Sequence, residues 1–436
     1  VDRSSVIFAL SLSFCVPVFA ATDSKKLSLR QAIDIAVEKS PSLSTARSEL
    51  NVRDLEYANS YSVFLPSLDL SATHGLRGSN PSIYKNIYAS ELGLQLTESL
   101  YDNGISLVKY ESARFQKEIA ELSYRNERDK LVLDVGFEYM RYSLAANLAQ
   151  VQEQQFNIVN KQYQSVSNQY QLGVKTRRDY LRFKTELRRS EIELQNSRAT
   201  VAKSRLELMR LLGFDVNSQV QPFDFDPVDV DVKSVEQVPG QSPDLTNHYQ
   251  YRIAELRRKS FENDVYIVRR DYWPQLFLTA EAAYHTGDYL GTSTPLSQNE
   301  MTSWSALLTL KFNLWDWGIR HRNISIADAK RIQSENAITA SLNTFSSENA
   351  KMMLQLNQSS KNFAIARELL DLETKSYGFL DSEYRNGKVS YLDIIVGLRD
   401  LLNAKVQMYT SYFDLRGQLL RYRYHEGRLY ESVSKK

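Results

Sequence analysis

The sequence predicts a mainly helical chain with membrane β-structure, written twice over. Each copy carries a long coiled-coil helix pair and two lipid-length strands, giving four transmembrane strands per chain. Three observations lead there. All ten prolines fall at 17, 41, 66, 81, 222, 227, 239, 243, 274 and 295, so residues 82–221 and 296–436 contain none. Proline breaks helix interiors, and two very long helical regions are therefore permitted. Between the helices lie four stretches whose apolar residues alternate with period two, the signature of strands. Finally, YQLGVKTRRD at 170–179 reappears as YRNGKVSYLD at 384–393, an offset of 214 residues.

The first 20 residues read as a secretory signal peptide: Arg3, an apolar run from Val6 to Phe14, and small residues before a cleavage site after Ala20. The only cysteine, Cys15, leaves with that signal. The mature chain then has no disulfide and no cysteine-based metal site. With no later segment apolar enough for a transmembrane helix, an exported chain is periplasmic, secreted, or an outer-membrane barrel. A net charge of only +2 gives no general affinity for nucleic acid.

The first repeat is predicted over 21–212. Leu68, Leu70 and Ala72 alternate with Ser67, Asp69, Ser71 and Thr73, giving a strand over about 65–75. Leu92, Leu94 and Leu96 alternate with Glu91, Gly93, Gln95 and Thr97, giving a second over about 88–100. Roughly ten residues suffice for a tilted strand to cross a bilayer. Pro66 opens the pair, and Asp102 and Gly104 close it. A helix follows from about Ile105 to Leu172, on the order of 100 Å long at ~1.5 Å per residue. Its partner runs from about Thr176 to Leu212, with Phe183, Leu187, Leu194 and Val201 in a narrow 4-3 rhythm suited to coiled-coil packing.

A linker over 213–247, carrying four prolines, leads to the second repeat at 248–436. Leu276, Leu278, Ala280, Ala282 and Tyr284 share one face of a strand over about 275–285, opened by Pro274. Trp304, Ala306, Leu308, Leu310 and Phe312 do so over about 302–313, closed by Asp316 and Gly318. Helices are predicted from about Ile319 to Asn386 and from Ser390 to Tyr424. The six-residue change of offset, from 208 to 214, falls in the loop at 286–301, where insertions are tolerated.

The repeated phrase has a local reading. Gly173 and Gly387 stand where a helix stops, since glycine takes the left-handed conformation cheaply. Thr176 to Asp179 and Ser390 to Asp393 have the spacing of capping boxes that start the next helix. The phrase is a hairpin tip, written once per half at the end remote from the strands. Four strands cannot close a barrel, and open edges are not tolerated in lipid, so the chain must oligomerise. Two copies would supply eight strands and three would supply twelve. A barrel continued by a helical tube is a conduit.

Here the chain resembles the TolC-like outer-membrane export channels. The resemblance covers essentially the whole mature chain. It rests on LSLRQAIDIAVEKSPSL (27–43), on FLPSLDLSA and its repeat YWPQLFLTA, on LYDNG and LWDWG, and on the doubled Tyr-x-x-Gly-x-x-Ser/Thr-x-x-Asp. It implies a homotrimer with a twelve-stranded barrel in outer-membrane lipid and a periplasmic tube. It also implies a tip that opens when a periplasmic adaptor docks, coupled to an inner-membrane ABC or proton-driven transporter. The tip residues by position are Tyr170, Gly173, Thr176 and Asp179, with Tyr384, Gly387, Ser390 and Asp393. Asp393 repeated around an axis would form an acidic ring able to gate by charge. Val396 and Val389 stand where some members carry an acidic residue and an arginine.

No catalytic role or cofactor is expected. The five histidines are scattered at 74, 248, 285, 321 and 425, and no phosphate loop, HExxH or nucleophile elbow occurs. An envelope tether would explain the helices but not four lipid-length strands. Of the cargoes such a duct could carry, the missing lipidation site leans towards type I protein secretion. Multidrug, small-molecule or metal efflux is the alternative.

Overall fold

The computed structural model describes residues 25–77, 87–214, 223–228, 239–240, 242–287, 300–386, 388–427 and 429–434. The segment read as a signal peptide, with Cys15, most of both strand-to-strand loops, and Gly387 lie outside them.

A short strand β1 (Lys25–Leu27) leads into helices α1 (Leu29–Lys39) and α2 (Pro41–Ser60). Ser28 and Gln31 exchange the reciprocal bonds of a capping box, and Pro41 occupies the first turn of α2, where its missing N–H costs nothing. Strands β2 (Ser67–Arg77) and β3 (Ile87–Tyr101) follow, then α3 (Ile105–Gln171) and α4 (Arg177–Leu211). The second half gives α5 (Tyr249–Arg270), β5 (Gln275–Gly287), β6 (Glu300–Lys311), α6 (Ile319–Arg385) and α7 (Tyr391–His425). Both α3 and α6 have 67 residues, and both return helices have 35.

Two additions are absent from the bare repeat. The segment between the halves contributes β4 (Phe223–Phe225), which pairs in parallel with β1. A last helix, α8 (Leu429–Ser434), folds back against α3 and α7. The β1–β4 pair sits in the hydrophobic core cluster. Leu27, Ile33, Tyr139, Leu208, Leu212 and Phe225 are all buried there. Tyr139 donates to the Leu27 carbonyl at 3.0 Å and Tyr142 to the Phe225 carbonyl at 3.2 Å. Both strands are thereby tied to the side of α3.

The four long strands form one antiparallel sheet in the order β2-β3-β5-β6. Their register sorts side chains cleanly. Leu70, Leu94, Ala282 and Trp304 lie in one row across the sheet, and Leu68, Leu96, Ala280 and Ala306 in the next. On the opposite face Asp69, Gln95, Glu281 and Ser305 make a polar row. Trp304 is 83% exposed on the apolar face. An apolar outside and a polar inside are what a strand in a membrane barrel requires. No helix among the described residues is long and apolar enough to cross a membrane.

The candidate tip, junctions and unpartnered faces

Each strand-to-helix junction is built the same way. Asp102 accepts from the Gly104 N–H at 3.1 Å and the Ser106 N–H at 2.6 Å. Asp316 accepts from Gly318 N–H at 3.1 Å and Arg320 N–H at 2.6 Å. The carboxylate caps free N–H groups at a helix start, where the helix dipole also favours negative charge. The chain turns through two left-handed residues, Asn103 (φ 60°) with Gly104 (φ 81°) and Trp317 (φ 55°) with Gly318 (φ 78°). Asparagine tolerates that region, whereas a bulky tryptophan there is an outlier. Pro66 and Pro274 each stand immediately before a strand, where the absent N–H removes no ladder bond. Asn103 joins the halves by donating to the Pro274 carbonyl at 2.9 Å.

At the far end α3 finishes in a turn that needs glycine. Gly173 has φ +74°, its N–H donates to the Tyr170 carbonyl at 3.0 Å, and Val174 N–H reaches back to Gln169 at 2.9 Å. This is a 6→1 bond of the kind that closes helix ends. In the second tip Lys388 N–H reaches Glu383 at 3.0 Å, the equivalent bond at the same offset. Each return helix starts on a hydroxyl. Thr176 Oγ1 accepts from Asp179 N–H at 3.2 Å and donates to Asp179 Oδ2 at 2.8 Å. Ser390 Oγ donates to Asp393 Oδ2 at 2.6 Å, and Ser390 N–H donates to the same oxygen at 2.9 Å, completing the box. These bonds hold both carboxyls below the usual carboxylate range; at each, the side-chain bond from the capping hydroxyl is the largest cause.

One ring contact and one charge interaction add to this picture of the tips. Tyr170 stacks on Tyr180, centroids 5.1 Å apart at 17°. Burial, and then the charge of Asp179, raise the pKa of Tyr384, so the tyrosine of the second tip lies near the aspartate of the first. The tyrosine stack was not legible beforehand, because Tyr180 lies outside the repeated pattern. Asp393 is exposed and lies on its own helix cap.

The duplication also shows where surface is missing a partner. α3 packs against α2, α4, α5 and α7, whereas α6 packs mainly against α5 and α7 alone. Residues offset by 214 therefore differ sharply. Met140 on α3 is 5% exposed and its counterpart Leu354 is 71% exposed; Val151 is 6% and its counterpart Ile365 is 62%. α2 and α4, whose main long-helix partner is α3, likewise present Val52, Leu55 and Ile192 to solvent. The sheet has matching free edges at β2 and β6.

A four-stranded membrane sheet in series with two duplicated helical hairpins defines an outer-membrane channel protein. The family model for outer membrane efflux proteins matches residues 32–214 and 244–419, and the chain belongs to that family. Among curated relatives it is similar to the outer membrane protein OprJ of Pseudomonas aeruginosa, at 22% identity over 391 residues, covering 84% of this chain and 76% of OprJ. Its fold matches the CmeC outer membrane channel of Campylobacter jejuni with TM-score 0.79 at 14% identity, over 100% of this chain and 96% of that one. It also matches the open state of the MtrE outer membrane channel of Neisseria gonorrhoeae with TM-score 0.74 at 17% identity, over 92% and 88%.

Proposed function

We propose that this chain forms the outer-membrane duct of a three-part export machine, as a closed ring of identical copies. The observation that carries the reading is the pair of complementary deficits. α6 lacks packing where its counterpart α3 is covered, and α2 and α4 lack what α5 and α7 possess. Placing α6 of one copy against α2 and α4 of the next satisfies both, and it sets β6 beside β2 of the neighbour in antiparallel register. Such a head-to-tail interface closes into a ring when the rotation permits. Three copies give twelve strands, above the ~8 of the smallest bacterial barrels.

The duct is passive. Energy comes from an inner-membrane transporter through a periplasmic adaptor that engages the tips at Tyr170, Gly173, Thr176 and Asp179 and at Tyr384, Gly387, Ser390 and Asp393. We read the cargo as low-molecular-weight compounds, in keeping with the efflux description of the family. Type I protein secretion is the alternative reading of the cargo. Mass spectrometry of the culture medium from a deletion strain, beside a toxicity screen, tests the choice. Unchanged medium with new drug or metal sensitivity supports efflux, whereas loss of one or a few large exported proteins would reinstate type I secretion.

A further inference from the structure

We propose that the second strand-to-helix junction, where α5 enters β5 and β6 leaves for α6, binds the headgroup of an anionic phospholipid in the leaflet facing the helical tube. The inference rests on the membrane reading of the sheet and adds a site and its ligand. Arg270 ends α5, and Arg320 and Arg322 lie at the start of α6. All three stand at the helix-side edge of the sheet, where Gln275 begins β5 and Lys311 ends β6. Asn323 donates to the Tyr272 hydroxyl at 2.7 Å, which holds the end of α5 and the start of α6 together.

Three independent observations set this junction apart from an ordinary solvated face. The first is the state of the guanidinium groups. Arg269 is neutralised by Asp328 at 3.0 Å, whereas Arg270, Arg320 and Arg322 make no ion pair among the described residues. They are held by other means. Arg270 lies over Tyr266 at 5.3 Å and over Trp273 at 5.4 Å, and Arg320 lies over Tyr272 at 5.3 Å. Arg322 donates to the Trp317 carbonyl at 3.1 Å. Stacking restrains a guanidinium while leaving its in-plane N–H groups for the paired bonds that a phosphate accepts. The local carboxylates are engaged: Asp316 caps α6, and Asp271 accepts from Gln275 at 3.5 Å.

The second is the duplication, which acts as an internal control. At the positions of Arg269, Arg270, Lys311, Arg320 and Arg322 the first half carries Tyr61, Ser62, Thr97, Ser106 and Val108. The first junction makes the same turn on the same aspartate cap without any of these cations. Cations are also disfavoured at a helix start, an effect that Asp316 offsets in part. A local rule broken without a structural return marks a functional surface.

The third is the setting. The apolar face of β6, with Leu308, Leu310 and Phe312, runs on to exposed Leu314 and Trp315. Aromatic side chains collect at the level of the headgroups. This side of the junction stays open in a ring. Leu107, the counterpart of His321, is 63% exposed although α3 already packs against both α2 and α5. An exposed leucine there, preceded by exposed Leu100 and Tyr101, suits lipid and not a water-filled passage. Arg320 and Arg322 flank the equivalent position, and basic clusters beside a membrane segment attract anionic headgroups.

The test reconstitutes the full chain in phosphatidylcholine vesicles in which a fixed fraction is replaced by brominated phosphatidylglycerol or by brominated phosphatidylcholine. Quenching of tryptophan fluorescence should show phosphatidylglycerol binding about fivefold or more tightly, a preference that weakens as salt rises from about 50 to about 300 mM. The combined variant Arg270→Gln, Arg320→Gln, Arg322→Gln, verified as assembled by gel filtration, should lose the preference. The control Arg257→Gln, Arg258→Gln, which removes cations nearer the start of α5, should keep it. Equal quenching by the two lipids in the unaltered protein overturns the proposal without any variant. So does an undiminished preference in the triple variant, or an equal loss in the control. A preference erased by inorganic phosphate at constant ionic strength would assign the arginines to a soluble anion and also overturns it. Native mass spectrometry of the same preparations reads the ring separately. Single chains there would defeat the duct reading, whereas the lipid preference alone decides the junction.

Discussion

Asn103 donates its side-chain amide to the backbone carbonyl of Pro274, 171 residues away, at 2.9 Å. The bond ties the end of the first membrane hairpin to the start of the second. The repeat places Trp317 at the position of Asn103, and Pro66 at the position of Pro274. Trp317 is 80% exposed in the single chain, and in the proposed ring it would stand beside Pro66 of the next copy. Its positive φ is a backbone cost accepted there.

Trp317→Gly should relieve that backbone while deleting the ring. If Trp317 is an interface residue, the assembly dissociates at lower temperature on semi-native gels despite the relaxed φ. If it is merely strained, stability rises. Asn103→Gly also accommodates the positive φ but loses the bond to Pro274, at a net cost of about 1 kcal/mol. Asn103→Ala should cost more, because alanine is disfavoured in the left-handed region by a further ~1–2 kcal/mol. Thermal unfolding followed by circular dichroism separates the two.

The unpartnered face of α6 makes a second prediction. Leu354→Asp and Ile365→Asp place charge on surface that is solvated in the single chain, so the helices should still form. Assembly should fail, because a charge buried against an apolar neighbour without a partner is costly. Native mass spectrometry should show single chains with unaltered helical content. A normal ring in both variants would refute the proposed packing of α6 on α2 and α4 of the neighbour.

Asp393 carries a third. Its carboxyl is held below the ordinary range by the Ser390 hydroxyl and N–H, so it stays ionised through any pH the periplasm meets. A depressed carboxylate pKa contributes stability that is present above the unfolded-state value and lost as pH falls through the folded one. Tip-dependent changes should therefore appear only in acid, below about pH 4. Asp393→Asn keeps one oxygen acceptor for the cap and removes the charge, whereas Asp393→Ala removes both. A charge gate predicts greater resting conductance in both variants. Leak in the alanine variant alone would show that the cap, and not the charge, holds the tip closed.

The last prediction concerns two buried imidazoles near the middle of the tube. His248 begins α5, accepting from Gln250 N–H at 3.2 Å, and His425 ends α7. Phe345 of α6 packs against both rings, at 4.3 Å and 5.3 Å between centroids. Burial lowers both pKa values to about 4, helped at His248 by His425 and at His425 by Arg421. From α3, Asp129 and Arg128 reach this region through Tyr249, whose hydroxyl lies 3.3 Å from Asp129. With folded values below the unfolded ~6.5, the unfolded chain binds more protons between the two. Stability then falls as pH drops from about 6.5 to about 4, by roughly 1 kcal/mol per pH unit for each ring. His425→Phe should flatten that slope in melting temperatures measured from pH 7 to pH 4. An unchanged slope would place the acid sensitivity elsewhere.

Much of this molecule was determined by the sequence alone, because its decisive signals are periodic and local. Proline-free runs and heptad spacing specify α3, α4, α6 and α7, and period-two alternation specifies the strands. Helix-stop and hydroxyl-cap chemistry locates the tip turns to within a residue or two, and all of these act within about one turn of chain. Only the tertiary structure decided what depends on distant residues meeting. The β1–β4 pair joins Leu27 to Phe225 across a segment that reads as a linker, because three-residue strands carry no period. The tyrosine stack at the tip, the neutral His248–Phe345–His425 cluster and the Asn103–Pro274 clasp each require side chains from separate elements to converge.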